Sequence, residues 1–192
     1  RAAREAADTL AATLSDGDLG GVDSSHLPTE EVSDLIQRHM NHFPELEEGG
    51  EALWREARLD RDYLYTTLVR FLAELGVQVR VARTADMHGA VRRYDPDAKV
   101  LTLSEVLRRG SRNFQLAYQV GLLTQAATLD RFAADRHLTS ESSRALARVA
   151  LANYFAGAVL MPYQPFLEAA RSERCDIDLL GHGYFSQAEA LL

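Results

Sequence analysis

The sequence predicts an α+β fold that is mostly helical, with helices packed around a small three-stranded antiparallel sheet. Two patterns predict this fold. Apolar residues recur every three or four positions on both sides of the chain's centre, a spacing typical of amphipathic helices. Between those segments the period changes to two, and a turn containing proline separates two of the alternating runs. Because the strand pattern is confined to the centre, the sheet should be small.

The chain divides into four predicted segments. Residues 1–15 have helical spacing, and because Arg1 already lies inside that pattern we expect the helix to be left from a preceding segment. Residues 16–27 are rich in Gly, Asp and Ser and predict a linker. Residues 28–180 form the main predicted domain, and residues 181–192 are assigned only as a C-terminal tail.

Two further helices are predicted before the sheet. Pro28 is a residue type favoured at the start of a helix, and apolar residues follow it at helical spacing as far as Met40. Residues 41–50 predict a break, and the acidic run within it is interpreted as a solvated turn. A third helical pattern covers residues 64–75, and Gly76 is a natural C-terminal stop for it.

The predicted sheet occupies the middle of the chain. Residues 77–82 alternate Val with Gln, Arg and Ala, which is the pattern of a strand with one buried face. A second strand is predicted at residues 90–94 and a third at 99–103. The intervening Asp-Pro-Asp-Ala at 95–98 favours a tight turn, so the last two strands should form a hairpin.

Helical spacing returns after the sheet. Ser111 is placed to cap a helix whose apolar residues run from 114 to 129. A hydroxyl side chain at 139–140 can cap another helix over residues 141–161, and two prolines follow it. A short helix is predicted at residues 166–170.

Composition excludes several classes of protein. The 192 residues carry a net charge of −7 and one lysine, Lys99, so the chain lacks the clustered cations of a DNA-binding surface. It has no apolar run long enough to span a membrane, and we expect no secretion signal. A single cysteine, Cys175, excludes an internal disulfide and a cysteine-based zinc site. We therefore expect a cytoplasmic location.

Two segments resemble the ImmA/IrrE-type zinc metallopeptidases, a zincin-like family. Residues 113–122 match the family's helix that carries a His-Glu-x-x-His motif, and residues 150–162 match its Ala-Asn-x-Phe-Ala…Leu-Met-Pro signature. The resemblance implies zinc bound by the two histidines and water activated by the glutamate. Here Tyr118 and Leu122 stand at the histidine positions and Gln119 at the glutamate position. The resemblance therefore implies a degenerate domain that is no enzyme and holds no metal.

A narrower set of segments resembles the short-chain fatty acid regulators of actinobacteria, which are XRE-type transcriptional regulators. The resemblance covers about residues 28–180 and includes 28–32, 93–96, 141–148 and 174–180 as well as the two segments above. It implies a ligand-sensing domain that binds a short-chain acyl-CoA, or CoA, as its effector, with no cofactor bound covalently. It also implies a homodimer that contacts DNA through a helix-turn-helix absent from this chain.

An anion site for the phosphates of such a ligand is predicted where the helix after the sheet begins. Arg109, Ser111 and Arg112 cluster at this helix start, where free N–H groups and the helix dipole favour anions. The alternative is a solvated loop. Arg92 and Arg93 point to opposite faces of a strand, so at most one can serve the same pocket, and Arg93 is the residue chosen.

The remaining predicted ligand-binding residues would line the pocket left by the lost metal. Burial of polar side chains at the old zinc site requires partners, which favours contact with a ligand. The alternative for the apolar members is ordinary core packing. These residues are Phe114, Tyr118, Gln119, Leu122, Asn153, Tyr154 and Met161.

The favoured function is thus an acyl-CoA-sensing domain that alters DNA binding by a separate helix-turn-helix and has no contact with a membrane. Two other functions stay open. The domain could be a dimerisation or protein-interaction module without a small ligand, or a residual metallopeptidase. His39 and His42 have a spacing that could bind a metal, but no third ligand is evident in the sequence.

Overall fold

The computed structural model describes residues 27–172, which form eight helices and three strands. The predicted helix at 1–15, the linker as far as residue 26, Cys175 and the tail at 181–192 lie outside the described residues. The helices are α1 Pro28–Arg38, α2 Pro44–Glu56, α3 Leu64–Glu74, α4 Thr84–Met87, α5 Arg109–Thr124, α6 Ala126–Ala133, α7 Glu141–Leu160 and α8 Tyr163–Ser172. The strands are β1 Gln78–Ala82, β2 Arg92–Asp95 and β3 Val100–Ser104.

The sheet is mixed, so the prediction of a purely antiparallel sheet was wrong. Its strand order is β1-β3-β2, in which β3 pairs antiparallel with β2 and parallel with β1. The hairpin of β2 and β3 is as predicted. Alternation of side chains indicates an extended segment but does not specify its direction. The direction of β1 depends on the connection through α4, which leads the chain to the far side of β3 before β2 begins.

The acidic run at residues 45–51 is helical, which corrects its interpretation as a solvated turn. It lies within α2, where Pro44 occupies the first helical position and acidic residues fill the first turn. Both features favour a helix N-terminus, through the fixed proline backbone and the helix dipole. Leu46 and Leu53 are buried from the same helix, so tertiary packing stabilises a segment that looked too polar and too glycine-rich.

The described residues divide into two units. The first unit comprises residues 27–43 and 127–151 and contains α1 with the start of α7. Its apolar core consists of Val32, Leu35, Leu138 and Ala147, with Ile36, Leu146 and Ala150 packed against it.

Two carboxylates tie this first unit together. The buried Glu31 accepts hydrogen bonds from the N–H of Thr139 at 2.9 Å and from its hydroxyl at 2.5 Å. Asp135 accepts from the backbone and the ring of His137, at 2.8 and 2.9 Å, and pairs with Arg38. Burial raises the pKa of Asp135, but the hydrogen bonds from His137 and the charge of Arg38 together hold it below its ordinary value.

The second unit comprises residues 44–126 and 152–172 and contains the sheet. Helix α3 packs on α5 and on β1. The core side chains that α3, α5 and β3 supply are fully withdrawn from solvent: Leu64, Leu68, Leu72, Leu101, Leu103, Leu116 and Val120. This packing fixes the position of α5, the helix that carries the degenerate motif. No helix of the described residues is long and apolar enough to cross a membrane.

Candidate functional site

Helix α5 buries most of the degenerate motif. Tyr118 is 8% exposed and Gln119 is 1% exposed, whereas Leu122 is only partly buried. A buried carboxamide requires a hydrogen-bond partner, because its polar atoms have lost water. The partner of Gln119 therefore identifies what has replaced the family's metal chemistry.

That partner is Arg92 from β2. Its guanidinium Nη1 donates to Oε1 of Gln119 at 2.6 Å, and its Cζ lies 4.5 Å from the centroid of the Tyr118 ring. The first distance describes a short, charge-assisted hydrogen bond, and the second a cation–π contact. A cation thus contacts both the residue at the first histidine position and the residue at the glutamate position.

Burial lowers the pKa of Arg92, and the charge and hydrogen-bonding interactions with Tyr118 offset this only in part. A guanidinium is such a strong base that it nevertheless stays protonated at neutral pH. The site therefore holds a permanent positive charge beside a phenol and a carboxamide.

Of the two neighbouring arginines, the sequence prediction chose Arg93, but the structure brings Arg92 to Tyr118 and Gln119. Arg93 is exposed, and its closest polar contact is a 3.5 Å hydrogen bond to the carbonyl of Met87. Successive side chains of a strand point to opposite faces, so only one of the two can face α5. The sequence shows that side chains alternate along β2, but it does not show which face of β2 lies against α5.

The residues at the motif positions do not fit zinc. Leucine has no coordinating atom and the carboxamide of Gln119 cannot act as a general base. The adjacent guanidinium would repel a divalent cation. In the part of the chain that the structure describes, no group of three or more His, Cys, Asp or Glu could hold a metal ion. Peptide hydrolysis through a zinc-bound water has no support from this arrangement.

A second polar site lies where α5 begins. Arg109 donates to the carbonyl of Asp62, and Arg112 donates to the carbonyl of Glu105 at 2.8 Å. Nε of Arg112 and Oδ1 of Asn113 are buried and have no hydrogen-bond partner among residues 27–172. A cavity of about 500 Å³ is lined by Tyr65, Thr66, Leu107, Arg109 and Arg112.

This second site contains residues of the predicted anion site, and anion binding there stays a prediction. Two of the predicted residues, Arg109 and Arg112, line its cavity, and Ser111 is partly buried one residue from Arg112. The sequence could not reveal Tyr65 and Thr66, because they belong to α3, more than forty positions earlier in the chain. Only the packing of α3 on α5 brings them to the helix start.

The predicted residues near the end of α7 form no shared group with either site. Asn153 is exposed and Met161 is partly buried. Tyr154 donates its hydroxyl to Oε1 of Glu47 on α2 at 2.6 Å. Phe114, the remaining predicted residue, is 8% exposed on α5. These positions are compatible with the core-packing interpretation and do not decide ligand contact.

A further cavity lies beside α2. Its volume is about 330 Å³, and it is lined by Glu51, Trp54, Arg55, Arg61 and Pro162. The indole N–H of Trp54 donates to the carbonyl of Val159 at 2.8 Å, which ties α2 to the end of α7. The lining combines an aromatic ring with charged side chains, and none of its residues was singled out from the sequence.

The fold and the motif positions define the class of domain. Residues 72–191 match the IrrE N-terminal-like domain, a family of metallopeptidase type, and the chain belongs to this family. The chain is also similar to a solved structure described as a Mycobacterium tuberculosis transcriptional regulator. The TM-score is 0.74 at 36% identity, over 81% of this chain and 47% of that one.

Curated relatives are named as regulators of transcription or of an enzyme. The HTH-type transcriptional regulator PrpR of Mycobacterium tuberculosis is 36% identical over 82% of this chain and 32% of its own length. RamB of the same species, also named an HTH-type transcriptional regulator, is 34% identical over 93% and 37%. The propionyl-CoA carboxylase regulator of Cereibacter sphaeroides is 33% identical over 80% and 32%. The chain thus spans about a third of the length of these relatives.

Proposed function

We propose that this chain is the ligand-sensing part of a transcriptional regulator and is not a peptidase, and that its effector is a short-chain acyl-CoA. One observation carries the proposal. The motif of a metallopeptidase-type domain is retained as a helix, but Tyr118, Gln119 and a guanidinium occupy the place of its metal chemistry. In this proposal the fold is kept after the catalytic groups are lost because the domain binds a ligand in place of a substrate.

The relatives support the regulatory part of the proposal. Two of them are named HTH-type transcriptional regulators, and a third is named for the enzyme propionyl-CoA carboxylase. The chain covers about a third of each, and its net charge is −7. In this proposal DNA is therefore contacted by a helix-turn-helix elsewhere in the regulator, because an acidic domain repels phosphates.

The geometry of α5 supports a CoA thioester as the ligand. Coenzyme A requires cations for its phosphates and a separate place for its acyl group. Arg109 and Arg112 offer cations beside the 500 Å³ cavity, and Tyr118 lies six residues beyond Arg112 on the same helix. At 1.5 Å per residue this separation is about 9 Å along the helix axis. The pantetheine arm of the ligand is long enough to connect two such places.

Signalling would follow from differential affinity. An effector shifts the equilibrium between two arrangements of the regulator only if it binds one of them more tightly. We propose that the regulator acts in the cytoplasm as a homodimer, because DNA sites with two-fold symmetry are read by two-fold dimers.

A thermal-shift titration tests the proposal. The domain is titrated with acetyl-CoA, propionyl-CoA, longer acyl-CoAs, free CoA and zinc. Saturating an effector at a hundredfold excess over Kd should stabilise the folded state by about 2.7 kcal/mol. Replacing Arg112 by Gln should weaken the response, whereas Arg80→Gln, on the exposed face of β1, should not.

Each result of this titration separates the alternatives. A saturable shift with an acyl-CoA that depends on Arg112 supports the sensor. No shift with any thioester, together with self-association in sedimentation, would favour a dimerisation or protein-interaction module. A saturable shift with zinc alone would reopen the residual metallopeptidase, in spite of the residues at the motif positions.

A further inference from the structure

Arg92 is a partly buried cation that has no anionic partner among the described residues. Arg92 belongs to an acidic protein, with 28 Asp and Glu against 21 Lys and Arg in the whole chain. Yet among residues 27–172 its polar and aromatic partners are only the carboxamide of Gln119 and the phenol of Tyr118. The ion pairs of the described residues involve other arginines. Within residues 27–172 this desolvated guanidinium therefore contacts neutral groups, although the protein is rich in acidic residues.

Burial of a guanidinium beside neutral groups destabilises the folded state unless an anion binds to it. Moving a charge out of water carries a penalty that neutral hydrogen bonds offset only partly. A guanidinium has five N–H donors, of which Gln119 accepts one from Nη1. Arg92 is only partly buried, and among the described residues its side-chain hydrogen-bond partners are Gln119 and Tyr118, so some of the five guanidinium donors remain for a further acceptor. An incoming anion could therefore bind them without unfolding the site.

We infer that Arg92, Tyr118 and Gln119 form a receptor for a carboxylate group. The planar fork of a guanidinium matches the two oxygens of a carboxylate and can donate to both. Gln119 accepts from one side of the fork and thereby holds its plane, and Tyr118 supports the cation from its ring face. In the family these positions hold a metal cation. Here the guanidinium of Arg92 supplies the positive charge, and it can bind an anionic ligand.

The inference deepens the proposed function, and its second part rests on that function. If the effector is a CoA thioester, a carboxylate receptor at the acyl end selects an acyl group with a second, free carboxyl group. The effector class is then the CoA thioesters of short dicarboxylic acids, such as malonyl-CoA, methylmalonyl-CoA and succinyl-CoA. Thioesters of simple short-chain acids lack this charge and should bind more weakly.

The first experiment tests the receptor without coenzyme A. Thermal unfolding is followed with malonate, and with neutral malonamide, at matched ionic strength. Malonate should raise the Tm of the wild type saturably and malonamide should not. Arg92→Gln should abolish the shift, whereas Arg93→Gln, the adjacent and exposed arginine, should keep it. Tyr118→Phe retains the ring beneath the guanidinium and should keep most of the response.

The second experiment compares malonyl-CoA with propionyl-CoA by calorimetric titration. We expect the wild type and Arg93→Gln to prefer malonyl-CoA by about tenfold or more, as is usual for a hydrogen bond between charged groups. Arg92→Gln should bind the two thioesters alike. Circular dichroism of each variant without ligand verifies that it is folded.

The outcomes distinguish the inference from the proposed function. Binding of malonate through Arg92 without binding of any thioester supports the receptor and refutes the acyl-CoA sensor. Tight binding of propionyl-CoA with no preference for malonyl-CoA, and no effect of Arg92→Gln, overturns the receptor and leaves the sensor standing. If malonate and malonamide act alike, or if Arg93→Gln removes the response as Arg92→Gln does, the receptor is also overturned.

Discussion

Gly121 lies on α5 where the ring of Phe155 from α7 packs directly against the helix backbone. A Cβ atom added at Gly121 would lie 2.6 Å from Cδ1 of Phe155 and 3.3 Å from both Cε1 and Cγ. Phe155 is fully buried, so its ring has little room to move. Since Gly121 follows Tyr118 and Gln119 by two or three positions, this close approach also fixes the degenerate motif.

The substitution Gly121→Ala should destabilise the domain in spite of a better helix propensity. Alanine is favoured over glycine inside a helix by about 1 kcal/mol. Overpacking a close-packed core costs about 1–3 kcal/mol. The net change in the free energy of unfolding should therefore be a loss of about 0–2 kcal/mol.

Gly157 provides a matched control on α7. A Cβ added there meets no heavy atom within 4 Å, so Gly157→Ala should gain the propensity term alone. The two variants should then differ in stability by about 1–3 kcal/mol, the size of the overpacking term. Urea denaturation followed by circular dichroism measures both, with unchanged slopes as the test that the transitions are comparable. Equal stabilisation of the two variants would refute the close packing of α5 on Phe155.

Three further predictions concern the carboxylates of the first unit and the motif. Glu31→Gln should lower the free energy of unfolding by about 1.5–3 kcal/mol, since the carboxamide keeps only one of the two oxygen acceptors for Thr139 and carries no charge. Chemical denaturation measures this loss, and an unchanged midpoint would contradict it. Because the folded-state pKa of Asp135 is lowered, its stabilisation is present above the unfolded pKa, about 4, and is lost as the pH falls through the folded value. Asp135→Asn should therefore be less stable than the wild type at pH 7 and should approach it at low pH, whereas a constant difference across that range would show that the charge is not responsible. Dialysis against zinc followed by metal analysis should find no stoichiometric zinc, and a chelator should leave Tm unchanged; one zinc per chain that is lost in Tyr118→Phe would refute the assignment of the motif.

Some parts of the fold follow from local sequence alone. The period of apolar residues predicts α1, α3 and the hairpin of β2 and β3, and the structure contains each of them. These elements are specified by neighbours a few positions apart, which a sequence displays directly. By contrast, α2 was missed because its acidic and glycine-rich residues are poor evidence for a helix until Leu46 and Leu53 are seen to be buried.

The sequence by itself determined that the motif positions hold Tyr118, Gln119 and Leu122, because residue identities alone decide whether zinc ligands are present. It also determined the acidic charge and the cationic cluster at the start of α5. Only the tertiary structure decided that Arg92 rather than Arg93 contacts the motif, and that β1 runs parallel to β3. The first outcome depends on which face of β2 packs against α5, and the second on the direction in which β1 runs. The alternation of side chains along a strand has a period of two whichever face is buried and whichever direction the strand takes.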